Sequence, residues 1–361
     1  MRSTIKTVDS HPKKPFTLAK SAIFALLFFI FSGAIHPVLG QESEVPAVEN
    51  QEAHPAKEPN VNQVIFEHVM DSHVWHFFEG HYGTLHLPII AYTPERGLEV
   101  FSSSNLYNEH HEGVAYHGYS LARNKLLLEG KPVLDLSITK NVMMLFINAS
   151  LILIVMTSVA RAYKRNAGKA PTGIQAFIEP VVLFVKDEIV KPNIGPKYER
   201  YLPYLLTLFF FVLFGNLLGL LPGAGNLTGN IAVTLTLAVL TFLITNFSGN
   251  KNYWKHILWT PGVPLLLRLI IMPVVLIGII TKPFSLTIRL FAAITAGHIV
   301  LLSLLGMTFI YHSWFVGIGS SIVVIFISLI ELLVAGIQAY VFTLFTSLYI
   351  GMAIEEHGSD H

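Results

Sequence analysis

The sequence predicts an all-α polytopic membrane protein with two long tilted C-terminal helices, preceded by a small extracytoplasmic region of mixed structure. Of its 361 residues, 52% are hydrophobic and only 13% are charged, which is far from the balance of a soluble domain. Apolar runs long enough to cross a bilayer recur after residue 140. Residues 61–138 instead alternate short apolar runs with Gly, Pro and Asn, which favours strands.

Composition and motifs also exclude several classes of function. The formal net charge of +1 comes without a basic run or basic face, so no nucleic acid partner is expected. The chain has no cysteine, so disulfides and thiolate metal sites are excluded. It shows no nucleophile elbow, phosphate loop or metalloprotease motif. We therefore expect no cofactor and no catalytic residue.

Residues 1–40 are typical of a signal peptide. Basic residues precede the apolar run "SAIFALLFFIFSGAI", and the following "VLG" fits a signal-peptidase site. A retained first anchor is the alternative, although the run is shorter than the roughly 20 residues of a span. Residues 41–60 are acidic, with three prolines and almost no large apolar residue, so a disordered linker is predicted there. Residues 61–138 then form the extracytoplasmic N-terminal region.

Histidines are concentrated around this extracytoplasmic region, at His68, His73, His76, His81, His86, His110, His111 and His117. Histidine-rich tracts can bind metal, so a metal-binding or sensory membrane protein is one alternative. Their spacing follows no zinc motif, and surface or assembly contacts are the simpler interpretation. We therefore expect no metal site.

Charged flanks set the predicted orientation of the first spans. The first covers residues 142–160 and ends in the basic "RAYKRNAGK", which should stay cytoplasmic. Apolar residues at helical spacing over 174–189 then predict an amphipathic helix at the inner surface. Spans over 201–221 and 230–247 follow, joined by the external loop "PGAGNLTG". The expected result is a multi-pass protein of the cell inner membrane with a cytoplasmic C-terminus.

The last third of the chain predicts a long helical hairpin. No proline or polar loop interrupts residues 314–354, and a helix of that length extends about 60 Å, roughly twice the hydrocarbon thickness. Residues 283–309 predict a second helix of about 40 Å, separated from the last one by "IYHS". Helices of this length have to tilt, bend or protrude from the bilayer.

Charged side chains are rare in this apolar half, where Glu331 is the only acid between residues 201 and 354. A charge at the bilayer centre costs several kcal/mol, so each such residue needs a protein or water partner. Lys282 and Arg268 have stems long enough to snorkel. Arg289 lies deeper in an apolar run, and its partner is either Glu331 or a carboxylate on another subunit. The scarcity of acids favours the other subunit.

The spacing of the polar residues predicts how they are distributed around the two helices. Arg289 and His298 are nine residues apart, on opposite faces of a helix, so each can face a different neighbour. Glu331 and Gln338 are seven apart and share one face. A lone His on an apolar helix is often a satisfied core residue. A His and a Glu on adjacent antiparallel helices favour a proton relay.

Three stretches resemble one known family. "KPFSLTIRLFAAITAGH", "IQAYVFTLFTSLYIGMAIEEH" and "FGNLLGLLPG" are similar to motifs of subunit a of the F-type ATP synthases. The resemblance covers roughly residues 140–357 and implies a proton-channel domain over 139–357, with a cytoplasmic tail at 358–361. It implies a non-catalytic subunit that forms two offset half-channels against a rotating ring of c subunits and couples proton flow to ATP synthesis.

The resemblance also implies roles for individual residues. Arg289 matches the essential arginine that faces the c ring, Gln338 matches the glutamine near it, and Asn216 matches an asparagine associated with the outer half-channel. His298 and Glu331 stand in the exchanged order relative to many bacterial relatives, an order also seen in mitochondrial-type relatives. The implied partners are the c ring, the b subunits of the peripheral stalk, the remaining ATP synthase subunits and the lipid bilayer.

Elementary electrostatics is compatible with these roles. A guanidinium with a pKa above about 12 is a fixed positive charge that repels hydronium and favours ionisation of an approaching carboxylate. A secondary transporter or ion channel of another family, with Arg289 holding an anionic substrate, is the alternative. Such folds often contain an internal repeat, and the sequence shows no convincing one.

Overall fold

The computed structural model describes residues 71–76, 84–107, 113–122, 125–166, 169–221, 223–258, 265–311 and 314–355. The predicted signal peptide, the acidic linker and the tail at 358–361 lie outside the described residues. The rest divides into a strand-rich N-terminal region and a helical membrane domain. The predicted all-α membrane fold with some strands near the N-terminus is confirmed.

The N-terminal region contains short antiparallel strands, namely β1 Val74–His76, β2 Thr84–His86, β3 Pro88–Thr93, β4 Gly97–Ser102, β5 Tyr119–Ala122, β6 Lys125–Leu128, β7 Lys131–Pro132 and β8 Leu134–Asp135. β1 pairs with β2, β3 lies between β4 and β8, and β6 lies between β5 and β7. The core is small and holds Ile89, Ala91, Leu106, Tyr119 and Leu126. Strand β8 ends just before the first membrane helix.

The membrane domain consists of helices α1 Lys140–Arg165, α2 Ile174–Phe184, α3 Lys191–Ile194, α4 Tyr198–Gly219, α5 Ile231–Ser248, α6 Lys251–Leu258, α7 Leu265–Tyr311 and α8 Trp314–Ile354. Within the described residues, five stretches are long and apolar enough to cross a membrane: Lys140–Arg165, Ile174–Gly219, Ile231–Ser248, Ile271–Met307 and Gly317–Ile354.

The first helix of the C-terminal hairpin is longer than predicted. A helix was expected over 283–309, but α7 continues through both Pro273 and Pro283. In an apolar medium the backbone has no water to bond, and transmembrane helices tolerate a proline because local adjustments satisfy the freed groups. The structure describes α7 as far as Tyr311 and α8 from Trp314, and the last two residues of the predicted break at "IYHS" lie outside the described residues.

The predicted amphipathic segment is helical, with an interruption. After α2, a π-helix covers Val185–Val190, and such turns are frequent at functional or strained places. The Ile189 carbonyl accepts hydrogen bonds from Asn193 Nδ2 at 2.7 Å and from Ser347 Oγ of α8 at 3.2 Å. This segment is therefore tied to the last helix.

Polar contacts join the helices of the bundle. Asn148 of α1 is fully buried and donates from Nδ2 to the Phe211 carbonyl of α4 at 3.0 Å. The Tyr204 hydroxyl of α4 lies 3.0 Å from Thr241 Oγ1 of α5. Thr241 Oγ1 in turn lies 3.4 Å from Thr346 Oγ1 of α8. Side-chain hydrogen bonds of this kind fix helix pairs where burial of apolar surface gives no preference.

The helices differ in how much of their surface this chain covers. In the most apolar window of each stretch, 50% of the residues of Ile174–Gly219 are buried, against 11% for Ile271–Met307 and 17% for Gly317–Ile354. Large apolar side chains such as Ile288, Leu333 and Ile337 stay exposed on α7 and α8. Most of the surface of these two helices is left to lipid or to other chains.

Candidate functional site

Three side-chain contacts define the antiparallel register of α7 against α8: Lys282 with Tyr349, Arg289 with Phe345 and His298 with Glu331. The contacts run in opposite chain directions along the pair. They therefore place the arginine toward one end of the shared surface and the histidine toward the other.

Arg289 is half-buried and lies against an aromatic ring. Its guanidinium carbon is 4.4 Å from the centre of the Phe345 ring, within the range of a cation–π contact. Its Nη1 atom is buried and has no hydrogen-bond partner among the described residues. Among the described residues, no carboxylate lies within ion-pair distance of Arg289.

His298 and Glu331 form a separate, more deeply buried pair. His298 Nδ1 lies 3.9 Å from Glu331 Oε1, and the glutamate side chain is only 3% exposed. Close helix approach at Gly297 makes room for the carboxylate, because a Cβ at Gly297 would lie 2.5 Å from Glu331 Oε1. The pairing of Arg289 with Glu331, one of the two predicted alternatives, is not formed.

Asn216 connects the loop between α4 and α5 to α8 beside this pair. It is 1% exposed, and its Nδ2 donates to the Ala335 carbonyl at 3.1 Å. Its Oδ1 accepts from Thr228 Oγ1 at 2.6 Å. Ala335 is one helical turn after Glu331, on the same face of α8. The structure therefore places Asn216, His298 and Glu331 in one neighbourhood.

Gln338 is half-buried on α8, one heptad after Glu331. Within the described part of the chain it makes no hydrogen bond with Arg289. Phe345 follows one heptad later, so the glutamate, the glutamine and the aromatic ring lie along one stripe of the helix. Gln338 thus lies between the two parts of the site by helical spacing, while Phe345 is the residue that touches Arg289.

Arg289 and His298 share one neighbour within this chain. Both contact α8, Arg289 through Phe345 and His298 through Glu331. Nine residues place the two backbone positions on opposite faces of a straight helix, but an arginine side chain reaches several ångströms from its backbone. Within the described residues, the two side chains are therefore separated along the contact between α7 and α8.

Lys282 occupies a half-buried position on α7. Its Nζ lies 5.1 Å from the centre of the Tyr349 ring. A small cavity between α5, α7 and α8 is lined by Lys282 together with Thr241, Thr245, Asn246 and Tyr253. The cavity is otherwise lined by apolar side chains, so the ammonium group lies in mostly apolar surroundings that contain a few hydroxyl and amide groups.

Sequence reasoning missed Phe345, Gly297 and Thr228. A signal for Phe345 was present, since it continues the heptad of Glu331 and Gln338. Gly297 stands directly before His298, and a small residue at a helix contact is a common sign of close approach. Thr228 lies in the loop "PGAGNLTG", and no local pattern indicates that it bonds to Asn216.

The described residues combine apolar helices long enough to cross a membrane, a buried imidazole–carboxylate pair, and a separate guanidinium without a carboxylate beside it. Ionisable groups at such depth mark pathways and relays. These features define a membrane protein with an ion pathway. Residues 142–351 match the family model described as ATP synthase A chain. The match covers more than half of the chain, and the chain belongs to this family. Residues 64–140 match a second model, described as a domain of unknown function.

Individual relatives extend the similarity. The chain is 47% identical over 234 residues to ATP synthase subunit a 2 of Chlorobaculum tepidum, covering 63% of this chain and 66% of that one. It is 39% identical over 324 residues to ATP synthase subunit a 2 of Chlorobium luteolum, covering 87% and 83%. It is 40% identical over 315 residues to ATP synthase subunit a of Pelodictyon phaeoclathratiforme, covering 85% and 80%. The last two similarities include much of the strand-rich region.

Proposed function

We propose that this chain translocates protons in the membrane sector of an F-type ATP synthase, as a non-catalytic subunit a with Arg289 as the charge barrier between two half-channels. The observation that carries the proposal is that the Arg289 guanidinium has no carboxylate partner among the described residues. Arg289 has a buried Nη1 without a hydrogen-bond partner among the described residues, and the one acid in the same apolar half lies beside His298 instead.

A buried guanidinium without a carboxylate partner among the described residues needs a carboxylate from another chain. A buried charge without a partner costs several kcal/mol, and α7 and α8 leave most of their surface uncovered. A ring of c subunits that carries one carboxylate per subunit supplies such a partner repeatedly as it turns. Each passing carboxylate is ionised beside Arg289, because an adjacent positive charge favours the charged form.

The outer pathway runs through Asn216, His298 and Glu331. A His and a carboxylate can both exchange protons, whereas an arginine cannot. Asn216 adds a polar group that bonds to α8 next to the pair. Gln338 lies between this group and Arg289 on the stripe of α8. Protons delivered by the pair reach the ring carboxylate on one side of the barrier and leave on the other.

The remaining assignments follow from the same function. The b subunits of the peripheral stalk would hold this chain still against the rotating ring. The basic residues after α1 place that end of the helix in the cytoplasm of a cell inner membrane. The strand-rich region, the loop between α4 and α5 and the break between α7 and α8 then lie on the outer side.

Replacement of Arg289 tests the barrier. In inverted membrane vesicles that contain the complete ATP synthase, Arg289→Ala should abolish ATP synthesis driven by a proton gradient, while the c ring and the catalytic head still copurify. Gly278→Ala, on the same helix with nothing within 4 Å of the added methyl, is the matched control. Synthesis at the wild-type rate by Arg289→Ala would refute the proposal.

A further inference from the structure

The strand-rich region is attached to the loop between α4 and α5. Trp75 of β1 donates from Nε1 to the Gly223 carbonyl at 2.6 Å. Its ring is buried and packs in a small cluster with Leu87, Met144, Leu218 and Ala224. The start of α1 is held to the same region, because the Lys140 amide donates to the Ser72 carbonyl at 2.8 Å. The strand-rich region therefore holds the loop in place through residues that are far from it in sequence.

The other end of this loop reaches the buried polar residues of the membrane domain. Thr228 donates to Asn216 at 2.6 Å. Asn226 Oδ1 accepts from the Gly229 amide at 2.9 Å, which folds the loop onto itself. Asn226 Nδ2 is also buried, and it has no hydrogen-bond partner among the described residues. The Oδ1 atom of this amide is therefore used within the loop, and the Nδ2 atom is able to donate a hydrogen bond to a further group.

Asn226 and His298 both border Gly219. The position that a Cβ on Gly219 would take is 3.5 Å from Asn226 Oδ1 and 3.9 Å from His298 Nε2. The amide oxygen is therefore the Asn226 atom next to Gly219, and it has a second lone pair besides the one that accepts from the Gly229 amide. Two polar groups that border one point can be joined by a bridging water almost as well as by a direct hydrogen bond.

We propose that Asn226 is a further residue of the outer proton pathway, linked to His298 through water at Gly219, and that Trp75 positions it by holding the loop at Gly223. This inference rests on the proposed function, and it extends the pathway by one residue toward the outer surface. It also assigns a purpose to the strand-rich region, which keeps the entrance loop in place.

The reason for a separate positioning element lies in the loop itself. Its sequence, "PGAGNLTG", contains three glycines and a proline, and glycine-rich chain loses much conformational freedom when it is ordered. The attachment of Gly223 to Trp75 and of Thr228 to Asn216 fixes both ends of the segment that carries Asn226. An amide that moves freely would not keep a water chain continuous.

The decisive variant is Asn226→Asp. It preserves the acceptor for the Gly229 amide and replaces only the unpartnered Nδ2 by a group that can titrate. In the complete enzyme in inverted vesicles, the rate of ATP synthesis is measured as a function of lumenal pH, which is the pH on the outer side. The midpoint of this profile should shift in Asn226→Asp. Asn230→Asp is the matched control, because Asn230 in the same loop uses its Oδ1 only to cap α5, and its profile should be unchanged.

Two further variants test the position at Gly219 and the hydrogen bond from Trp75 to Gly223. Gly219→Ala adds a methyl at ordinary contact distances and should lower outer-side proton uptake roughly fivefold, about the factor that one hydrogen bond is worth. Trp75→Phe keeps an aromatic ring and removes the donor to Gly223, and it should lower uptake by a similar factor with a shifted pH profile. Trp254→Phe, at a half-exposed position on α6, is its control.

The results separate this inference from the proposed function. If His298→Ala and Glu331→Ala slow uptake while Asn226→Asp and Gly219→Ala behave like the wild type, the pathway stands and Asn226 has no part in it. If Asn226→Ala weakens the enzyme but Asn226→Asp keeps the wild-type profile, the residue only folds the loop, and the inference is overturned. If Trp75→Phe fails to assemble, the Asn226 and Gly219 variants still decide the role of Asn226.

Discussion

The two ends of the contact between α7 and α8 differ in chemistry although they lie on the same pair of helices. At one end, Arg289 lies on the Phe345 ring and has no carboxylate from the described chain. At the other end, His298 and Glu331 are placed together and the glutamate is 3% exposed. One end carries a charge that cannot change, and the other carries two groups that can exchange a proton. A barrier and a pathway therefore need different residue types and different surroundings.

The two ends also differ in the charged or titratable group that this chain places beside each residue. Glu331 has the His298 imidazole at 3.9 Å, and Gly297 lets the helices close around this pair. Among the described residues, the guanidinium has the Phe345 ring and no carboxylate beside it. Under the proposed function, another subunit supplies the carboxylate for Arg289, whereas this chain supplies both members of the His298–Glu331 pair.

The largest effect on outer-side proton uptake is expected from removing the exchangeable pair, His298 and Glu331. His298→Ala or Glu331→Ala should slow outer-side proton uptake by roughly a hundredfold, the lower range of general acid–base effects. ATP synthesis after acid loading of inverted vesicles measures this, with copurification of the c ring as the assembly control. The double exchange His298→Glu with Glu331→His should retain part of the activity. Wild-type uptake in both alanine variants would remove the pair from the pathway.

A smaller effect is expected when the pair is disturbed without being removed. In Gly297→Ala, the added methyl would lie 2.5 Å from Glu331 Oε1, so the carboxylate or the helix has to move, at a cost of about 1–3 kcal/mol. Uptake should fall about tenfold at constant assembly. Gly278→Ala on the same helix has no neighbour within 4 Å and should be neutral. Equal behaviour of the two variants would contradict the close approach at Gly297.

The barrier end should respond to its aromatic partner more weakly. Phe345→Leu removes the ring below Arg289 and should cost about 1 kcal/mol of cation–π interaction. The expected result is a severalfold loss of coupling, measured as ATP made per proton admitted. Phe345→Tyr keeps the ring and should preserve coupling. A loss in the tyrosine variant as large as that in the leucine variant would mean that shape, and not the ring, matters at this position.

The smallest effect concerns a second His–carboxylate pair, outside the membrane. His73 Nε2 lies 2.8 Å from Asp135 Oδ2. Burial acts to raise the pKa of Asp135, but hydrogen bonds and charge from His73, together with bonds from Ser137, outweigh it, so the pKa of Asp135 is lowered. A lowered carboxyl pKa contributes stability above the unfolded value of about 3.9, and this stability is lost as pH falls through the folded value.

Asp135→Asn should therefore destabilise the strand-rich region by about 1 kcal/mol at neutral pH and flatten the acid limb of its stability profile. Proteolysis of this region in the intact complex, followed over pH, measures the effect. Proton uptake at neutral pH should stay near the wild type. A large loss of uptake would mean that this pair also belongs to the pathway, and the contrast between the two pairs would fail.

Much of the helical domain was predictable because its signals are local. Apolar run length and basic flanks indicate the spans. The spacing of Glu331 and Gln338 predicts one face of α8 without any knowledge of the fold. The roles of Arg289 and Asn216 needed the family resemblance, because a single charge or amide does not reveal its partner.

The remaining features depend on contacts between distant parts of the chain. The helical course through Pro273 depends on the apolar surroundings, which overrule the local effect of proline. The bond between Trp75 and Gly223 joins residues 148 positions apart, and no periodicity reports such a pair. The contact of Arg289 with α8 depends on the reach of its long side chain and on the packing of two helices, which spacing on an ideal helix does not describe.

Passive proton flow through the membrane sector tests the separation of barrier and pathway most directly. Vesicles are stripped of the catalytic head, and proton flux is compared between the wild type, Arg289→Ala and His298→Ala, with the c ring retained in all three. A fixed-charge barrier predicts that Arg289→Ala still passes protons but makes no ATP when the head is rebound, whereas His298→Ala passes few protons. ATP synthesis in Arg289→Ala, or loss of its proton flow with the ring in place, would contradict the assignment of Arg289 as the barrier.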